Sequence, residues 1–231
     1  LGNENLFARQ YNFTRKPREL AQAIVEGRVR RIDAARLGER MFSIMASIGF
    51  DADVVHRVAA WREQKEGLKR VRRFSYLRPF FKSLRNYGYP QIDIEADEDT
   101  NFGTHLLIFN LPRYACGLKF CPQAEDNDGY LDWVLFKRPG WGYLTRYLWA
   151  VWRNKVSHLP DALIGRSKRI KVFSKVPAPV QIDGEAAGFT PVQIEVLPGM
   201  LQVLQVSKPR ARDKVTPEPQ RLRSVHPADA R

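Results

Sequence analysis

Short apolar or alternating segments separated by turn residues fill most of the chain between residues 28 and 206. The segment 91–95, Gln-Ile-Asp-Ile-Glu, alternates with the period of two expected of a half-buried strand. Further strands are predicted at 29–36, 40–48, 105–109, 130–136, 168–173, 180–182, 191–197 and 200–206, the first two joined around Gly38 and the last two by a Pro198-Gly199 turn. So many short strands predict a mainly β protein with helices (α+β), built on an antiparallel β-sandwich or barrel-like sheet.

Helices are predicted at 5–10, 16–26, 51–66, 73–86 and 142–153. The second has Thr14 as a candidate N-cap, Pro17 in its first turn and Gly27 at its end. Residues 207–231 are rich in proline and basic residues and contain few apolar ones, so we expect a disordered basic tail.

Composition excludes several classes of protein. The chain of 231 residues has only two cysteines, Cys116 and Cys121, too few for a disulfide framework or a cysteine metal site, so both are expected to be reduced thiols. No run of about 18 apolar residues predicts a membrane span, and residues 1–20 do not form a signal peptide. We therefore expect a cytoplasmic protein. The chain begins with Leu1, which suggests that a segment precedes it.

Positive charge is concentrated in one stretch of a chain whose net charge is +13. Residues 57–85 contain ten Lys or Arg residues and two acidic ones, interleaved with Trp61, Phe74, Tyr76, Phe80 and Phe81. Such a basic stripe suits anionic lipid headgroups, nucleotide phosphates or nucleic acid, and it is equally typical of a solvated helical face.

Two acidic motifs could carry chemistry. Asp183-Gly184-Glu185 follows an apolar run, where a carboxylate could accept a proton from an attacking hydroxyl, although Asp-Gly is also a common hairpin turn. The loop 126–132, Asp-Asn-Asp-Gly-Tyr-Leu-Asp, offers oxygen ligands suited to Mg²⁺, although a solvated turn has the same composition.

A third motif opens the chain. Residues 2–9, Gly-Asn-Glu-Asn-Leu-Phe-Ala-Arg, place a glycine and two asparagines before a helix. The backbone N–H groups of such a turn can bind phosphate, although an ordinary capped helix has the same pattern.

These motifs, in this order, resemble those of the bacterial diacylglycerol kinase and lipid kinase family, which includes the sphingosine kinases. The family pattern is Gly-Thr-x-Asn-Asp-Phe-Ala-Arg, Gly-Phe-Asp-Ala, Pro-x-Ala-x-x-x-Asp-Gly-x-Leu-Asp and Asp-Gly-Glu. The matching segments here are 2–9, 49–52, 122–132 and 183–185, so the resemblance covers about residues 1–206.

The resemblance implies a two-domain fold with the active site between an α/β nucleotide domain and a β-sandwich. Residues 1–27 would be the remnant of the nucleotide domain, residues 28–206 the β-sandwich, and residues 207–231 the tail. The family's Gly-Gly-Asp-Gly-Thr phosphate loop is absent from this chain, which puts ATP binding by the chain alone in doubt.

The resemblance also implies roles for individual residues. Glu185 would be the general base, and Asp183 of the same turn would share the catalytic site. The expected Mg²⁺ ligands are the Asp128 side chain and the main-chain oxygens of Glu125 and Tyr130. The remaining implied contacts are those of Gly2, Asn3 and Asn5 with the nucleotide and of Asp53 with the substrate headgroup. Asn3 and Leu6 depart from the family residues, Thr and Asp.

The implied activity is ATP- and Mg²⁺-dependent phosphoryl transfer to a lipid hydroxyl, that of diacylglycerol or a related lipid. The basic stripe and the aromatic helix 142–153 would then face an anionic membrane surface. One alternative is a non-catalytic module that binds a lipid or a protein partner; a nucleic-acid-binding protein is a weaker alternative, because no recognised nucleic-acid motif is present. The sequence leaves a homodimer open.

Overall fold

A computed structural model of the protein describes residues 6–13, 16–63, 77–111, 121 and 123–204. The helices of this part of the chain are α1 (Leu6–Gln10), α2 (Pro17–Glu26), α3 (Phe50–Glu63), α4 (Leu77–Asn86) and α5 (Trp141–Trp152). Its strands are β1 (Val29–Leu37), β2 (Arg40–Phe42), β3 (Met45–Ile48), β4 (Ile92–Ala96), β5 (Asp99–Gly103), β6 (His105–Phe109), β7 (Leu131–Phe136), β8 (Ala162–Ser167), β9 (Arg169–Phe173), β10 (Pro179–Ile182), β11 (Glu185–Phe189) and β12 (Val192–Leu204).

The strands form two antiparallel sheets that pack face to face. The first sheet has the order β2-β1-β12-β9-β4-β5, and the second has the order β11-β10-β3-β6-β7-β8. Apolar side chains from both inner faces make the main core, among them Ile94, Ile170 and Ile194 from the first sheet and Ile48 and Ile108 from the second. The predicted β-sandwich with helices is thereby confirmed.

Helices α3 and α5 lie on the outer face of the second sheet. Because side chains alternate along a strand, Met45 points outward from β3 while its neighbour Ala46 points into the main core. Tyr147 and Val151 of α5 pack with Met45 in a second apolar cluster. The second sheet is therefore buried on both faces, which explains why every residue of β6 and β7 is buried and why all of them except His105 and Asp132 are apolar.

Two strand predictions were wrong. The segment 40–48 is not one strand, because the chain leaves the first sheet after β2 and enters the second at β3. Pro198-Gly199 is not a turn between two strands but a bulge inside β12, opposite a register shift in β1. The Gly199 N–H donates to the Asp33 carboxylate (2.7 Å), so a side chain supplies the hydrogen-bond partner that the strand ladder does not provide at the bulge. Strands β5, β8 and β11 were missed because they are polar or glycine-containing.

Several predictions fall on residues outside the described ranges. These are Cys116, the stripe residues between 64 and 76, and the tail 207–231. Thr14 also lies outside these ranges, but the N-cap position of α2 is Lys16, so the predicted Thr14 cap was wrong. The Gly27 helix end is confirmed, with φ of 62° and its N–H bonded to the Ala23 carbonyl. Cys121 is a buried free thiol whose pKa is raised by burial and then by the charge of Asp132.

Gly49 occupies a position that no other residue fits. Its φ is +114°, in the region that favours glycine, and an added Cβ would lie 2.6 Å from the Thr104 carbonyl oxygen. The Gly49 N–H donates to the Pro179 carbonyl (3.1 Å). This close approach lets α3 start directly at the end of β3 and lie against the second sheet.

We expect Gly49→Ala to destabilise the protein by about 2 kcal/mol or more, because it adds both backbone strain and a clash. Urea unfolding measures the free-energy change. Gly142→Ala is the matched control: Gly142 lies in α5 with no atom near an added Cβ, and this change should be neutral or slightly stabilising. Equal effects of the two substitutions would contradict the role given to Gly49.

His105 is buried among aromatic rings beside Gly49. Its side chain contacts Phe50 and Tyr89, with ring centroids 6.2 and 5.4 Å away, and its Nδ1 lies 2.8 Å from the Thr104 hydroxyl. Within the described residues its Nε2 has no hydrogen-bond partner. Burial lowers the pKa of His105 from 6.5 to about 4, so the ring is neutral at pH 7.

Because the folded-state pKa of His105 is lowered, its contribution to stability is complete above pH 6.5 and is lost as the pH falls toward 4. We expect this loss to approach about 3 kcal/mol. Asp132, whose pKa is raised to about 6, contributes the opposite trend below pH 6, so the measurement compares wild type with His105→Phe in urea unfolding across this range. A variant with the same pH dependence as wild type would contradict the assignment.

Candidate active site

The Asp183-Gly184 pair is the two-residue turn between β10 and β11. The φ angles of Asp183 and Gly184 are 48° and 86°, and Ile182 pairs with Glu185 across the turn. Two left-handed residues between paired strands define a type I′ hairpin turn. The prediction that Asp183-Gly184 forms a hairpin turn is therefore confirmed. The turn leaves the Glu185 side chain 77 % exposed.

The carboxylate of Asp183 is occupied by donors from the crossing between β2 and β3. Oδ1 accepts the N–H groups of Ile44 and Met45, both at 2.9 Å, and Oδ2 accepts the N–H (2.9 Å) and the hydroxyl (3.3 Å) of Ser43. The Asp183 N–H in turn donates to the Met45 carbonyl (2.9 Å). The hairpin is thus fastened to the point where the chain changes sheets.

A buried polar chain joins the same turn to the start of α3. Gln181 is fully buried; its Oε1 accepts the Gly184 N–H (2.8 Å) and its Nε2 donates to the Ser47 hydroxyl (2.9 Å). Ser47 donates to Asp51 Oδ2 (2.7 Å). Two of the sequence motifs, 49–52 and 183–185, are therefore neighbours in space.

Gln181 and Ser47 were missed as site residues. The signal available was a glutamine inside the apolar run Pro179–Ile182, because a buried polar side chain needs partners.

Arg40 is a further residue that the sequence did not indicate. Its Nη1 donates to the Ala186 carbonyl (2.9 Å), and its Nη2 lies 3.7 Å from Glu185 Oε2. This arrangement places a guanidinium beside an exposed carboxylate at the start of β11. The pair combines a group that can accept a proton with a cation that can face a phosphate.

Asp53 lies in the first turn of α3. Its carboxylate accepts from Arg57 Nε (2.6 Å), one turn later in the helix. Burial, followed by the charge of Asp53, raises the pKa of both Tyr87 and Tyr89. Phe50, at the start of the same helix, packs against both tyrosine rings, with centroids 6.2 and 6.1 Å away. His56 Nε2 lies 2.8 Å from the Val180 carbonyl oxygen and connects α3 to β10.

The predicted metal loop lies at the start of β7. Asp128 Oδ1 accepts the Tyr130 N–H (2.9 Å), and Oδ2 accepts a hydrogen bond from Arg166. Asp132 is fully buried, with its Oδ1 3.6 Å from Arg166 Nε. Burial raises the pKa of Asp132 to about 6, against the opposing charge of Arg166.

This loop fits a hard cation in its chemistry. All of its candidate donors are oxygens, and Glu125, Asp128 and Asp132 carry more negative charge than Arg166 neutralises. Both oxygens of the buried Asp132 carboxylate are without a hydrogen-bond partner in the described part of the chain. There, no three His, Cys, Asp or Glu residues form a group that could hold a metal, so a cation would rely on main-chain oxygens as well.

Asp33 and Asn110 connect this loop to the hairpin. The Asp33 carboxylate accepts the N–H groups of Gly129 and Gly199, both at 2.7 Å. The Asn110 amide donates to the carbonyls of Asp33 and Ser43, both at 2.9 Å. Since Ser43 also bonds Asp183, a continuous set of hydrogen bonds runs from the 126–132 loop to the hairpin turn.

The N-terminal segment reaches the same loop. The Tyr11 hydroxyl, just after α1, donates to Asp126 (2.8 Å), whose other oxygen accepts from Arg30. Gly2, Asn3 and Asn5, the predicted nucleotide-binding residues, lie outside the described ranges. Within the described residues, the segment just after α1 contacts the 126–132 loop through Tyr11.

Comparison with known proteins agrees with this architecture. Residues 44–205 match the YegS C-terminal NAD kinase beta sandwich-like domain. A diacylglycerol kinase of Mycobacterium tuberculosis is 27% identical over 215 residues, covering 88% of this chain and 67% of that protein. A diacylglycerol kinase of Staphylococcus saprophyticus is 25% identical over 193 residues, covering 83% and 62%.

A solved structure has the same fold. The crystal structure of a candidate diacylglycerol kinase from Bacillus anthracis superimposes with a TM-score of 0.65 at 21% identity, over 88% of this chain and 66% of that protein. The chain thus spans about two thirds of the length of these relatives. It belongs to the YegS C-terminal, NAD kinase β-sandwich-like domain family, and with it to the diacylglycerol kinase-like lipid kinases.

Proposed function

We propose that this chain carries the acceptor side of an ATP-dependent lipid kinase, with Glu185 as the general base. The observation that carries the proposal is the exposed Glu185 carboxylate on a tightly held type I′ turn, beside Arg40. An exposed carboxylate on a rigid support can meet a substrate hydroxyl without first breaking a buried hydrogen-bond network.

In the proposed reaction, Glu185 accepts the proton of a lipid hydroxyl. The hydroxyl oxygen then forms a bond to the γ-phosphorus of ATP, the bond from that phosphorus to the β–γ bridging oxygen breaks, and ADP leaves. Asp183 acts as a positioning residue, because its carboxylate is already occupied by Ser43, Ile44 and Met45. Mg²⁺ supplied with ATP would neutralise charge on the phosphates.

The proposed division of labour follows the domain boundaries. Residues 28–206 form the sandwich that presents the base, residues 1–27 belong to the nucleotide domain, and 207–231 form the basic tail. Gly2, Asn3 and Asn5 would contact ATP, and the rest of the nucleotide site would come from the part of the relatives that this chain does not span. The hydrogen bond from Tyr11 to Asp126 (2.8 Å) supports this placement of residues 1–27, because it joins the segment after α1 to the edge of the sandwich.

The proposed substrate is diacylglycerol or a related lipid, presented by an anionic membrane on its cytoplasmic side. The relatives named diacylglycerol kinase support the choice of lipid. Asp53 is the proposed headgroup contact, since it lies in the first turn of α3, whose first residue, Phe50, packs against Tyr87 and Tyr89. No helix in the described part of the chain is long and apolar enough to span a membrane.

We expect Glu185→Gln to lower phosphoryl transfer by about 10²- to 10⁴-fold while changing the free energy of unfolding by less than about 0.5 kcal/mol. The measurement is transfer of label from the γ-position of ATP to diacylglycerol vesicles, using the chain alone and joined to any sequence encoded upstream of it. Asp183→Asn is the matched comparison and should cost about 2–4 kcal/mol of stability, because backbone donors lose their carboxylate.

Wild-type transfer that Glu185→Gln leaves unchanged would refute the role of Glu185. No transfer by either form of the wild-type chain would favour a non-catalytic lipid-binding module. If Glu185→Gln unfolds as easily as Asp183→Asn, the distinction drawn between the two carboxylates is wrong.

For the metal loop, we propose that Asp128 binds Mg²⁺ together with the main-chain oxygens of Glu125 and Tyr130. We expect millimolar Mg²⁺ to raise the thermal unfolding temperature of wild type by a few degrees and to leave Asp128→Asn unaffected. Ca²⁺ and NaCl at matched ionic strength are the controls. The absence of any Mg²⁺ shift would refute this site, and the hydrogen bonds of Asp128 with Arg166 and the Tyr130 N–H would then be its complete role.

A further inference from the structure

Helix α5 exposes a continuous apolar face to solvent. Trp141, Leu148 and Trp152 lie at helical spacings of seven and four residues and therefore share one side of the helix. Trp141 is 66 % exposed and Trp152 is 72 % exposed, and Trp149, 58 % exposed, lies beside them. Large aromatic side chains gathered on one exposed face mark an interaction surface rather than scattered surface residues.

The opposite side of α5 fixes this orientation. Tyr147, Ala150 and Val151 are buried against the second sheet, and the Tyr147 ring stacks on Phe136 with centroids 4.3 Å apart. The Tyr147 hydroxyl also donates to Asp161 (2.7 Å). The helix cannot roll to bury its tryptophans without losing these contacts, so the apolar face is a fixed feature of the fold.

The segment that carries this face is strongly basic. Residues 137–161 contain a single acidic residue, Asp161. Its buried carboxylate accepts a hydrogen bond from the Tyr147 hydroxyl and forms an ion pair with Arg146. The basic residues of the same segment are Lys137, Arg138, Arg146, Arg153 and Lys155. The Arg153 guanidinium lies 4.8 Å from the Trp149 ring centroid, in cation–π contact. Tryptophan and arginine together are typical of the interface of an anionic bilayer.

We propose that the α5 surface, defined by Trp141, Leu148, Trp149 and Trp152 with the five basic residues of 137–155, binds anionic lipid bilayers directly. A second copy of this chain is the less suitable occupant, because pairing two such surfaces would bring two sets of basic residues together. The proposal rests on the proposed lipid kinase function and adds to it the element that contacts the membrane.

The α5 surface lies on the same side of the sandwich as Asp53. Both α3, which carries Asp53, and α5 pack on the outer face of the second sheet, α3 through the Asp51–Gln181 contact and α5 through the cluster that contains Met45. A bilayer bound to the α5 surface therefore meets the side of the sandwich on which Asp53 lies. The substrate would then enter from the bilayer rather than from solution.

The experiment is co-sedimentation without nucleotide, using phosphatidylcholine vesicles with and without phosphatidylglycerol. We expect wild type to bind only the anionic vesicles, with an affinity that falls as salt is raised. Trp141→Ser combined with Trp152→Ser should weaken binding by about tenfold or more, because interfacial burial of two tryptophans is lost. The matched control is Phe173→Ser combined with Met200→Ser, two exposed apolar residues of the other sheet, which should bind within about twofold of wild type.

A second variant, Arg138→Gln combined with Lys155→Gln, tests the contribution of charge and leaves the exposed tryptophans unchanged. It should bind anionic vesicles more weakly than wild type, and its binding should depend less on salt. Tryptophan variants that bind like wild type, or wild type that binds neither vesicle, would overturn the proposal. A wild-type dimer in sedimentation velocity that the tryptophan substitutions dissociate would identify a second copy as the occupant and also overturn it.

Phosphoryl transfer to a dispersed short-chain diacylglycerol separates this proposal from the kinase function. We expect the tryptophan variant to retain that transfer and to lose transfer to vesicles. Anionic vesicle binding by a wild type that transfers no phosphate to either substrate, whether alone or joined to the sequence encoded upstream, would refute the kinase function while leaving the α5 surface intact.

Discussion

The Asp183 carboxylate is the contact on which the candidate site depends. Asp183 stands in the left-handed region at a two-residue turn, and it receives the backbone N–H groups of Ser43, Ile44 and Met45. Those three residues are where the chain leaves one sheet and enters the other. Charge-assisted hydrogen bonds from backbone donors are strong and directional. One carboxylate therefore stabilises both the crossing between the sheets and the turn that presents Glu185.

Buried polar side chains connect the sheet crossing and the Asp183 turn to the other sequence motifs. Asn110 connects Ser43 to the bulge at Asp33, and Asp33 holds the backbone of Gly129 in the acidic loop. Gln181 connects the turn to the start of α3. Buried polar groups are costly unless they are paired, so these contacts specify one arrangement of the loops rather than merely adding stability. Glu185 stays exposed for chemistry because the groups behind it are engaged with one another, while Arg40 is held beside it by the Ala186 carbonyl.

The sequence predicted most of the strands and helices, but it did not predict the hydrogen bonds between distant polar side chains. Period-two patterns and apolar runs located β4, β6, β7 and most of the inner strands, because burial on a sheet leaves a local signature. The polar strands β5, β8 and β11 have no such signature, and the bulge at Gly199 looked like a turn because its partner, Asp33, is distant in sequence. The same reason hid Asn110, Gln181 and Arg40: their roles are contacts with residues more than 60 positions away or across a strand crossing.

Amide hydrogen exchange at residues 43–45 tests the central claim most directly, namely that Asp183 fastens the hairpin to the sheet crossing. The account predicts that these amides are protected in wild type and exchange about ten- to a hundredfold faster in Asp183→Asn, while amides in the middle of β7 are much less affected. Unchanged exchange at Ser43, Ile44 and Met45 in that variant would contradict the claim. Glu185 would then be presented by the hairpin alone.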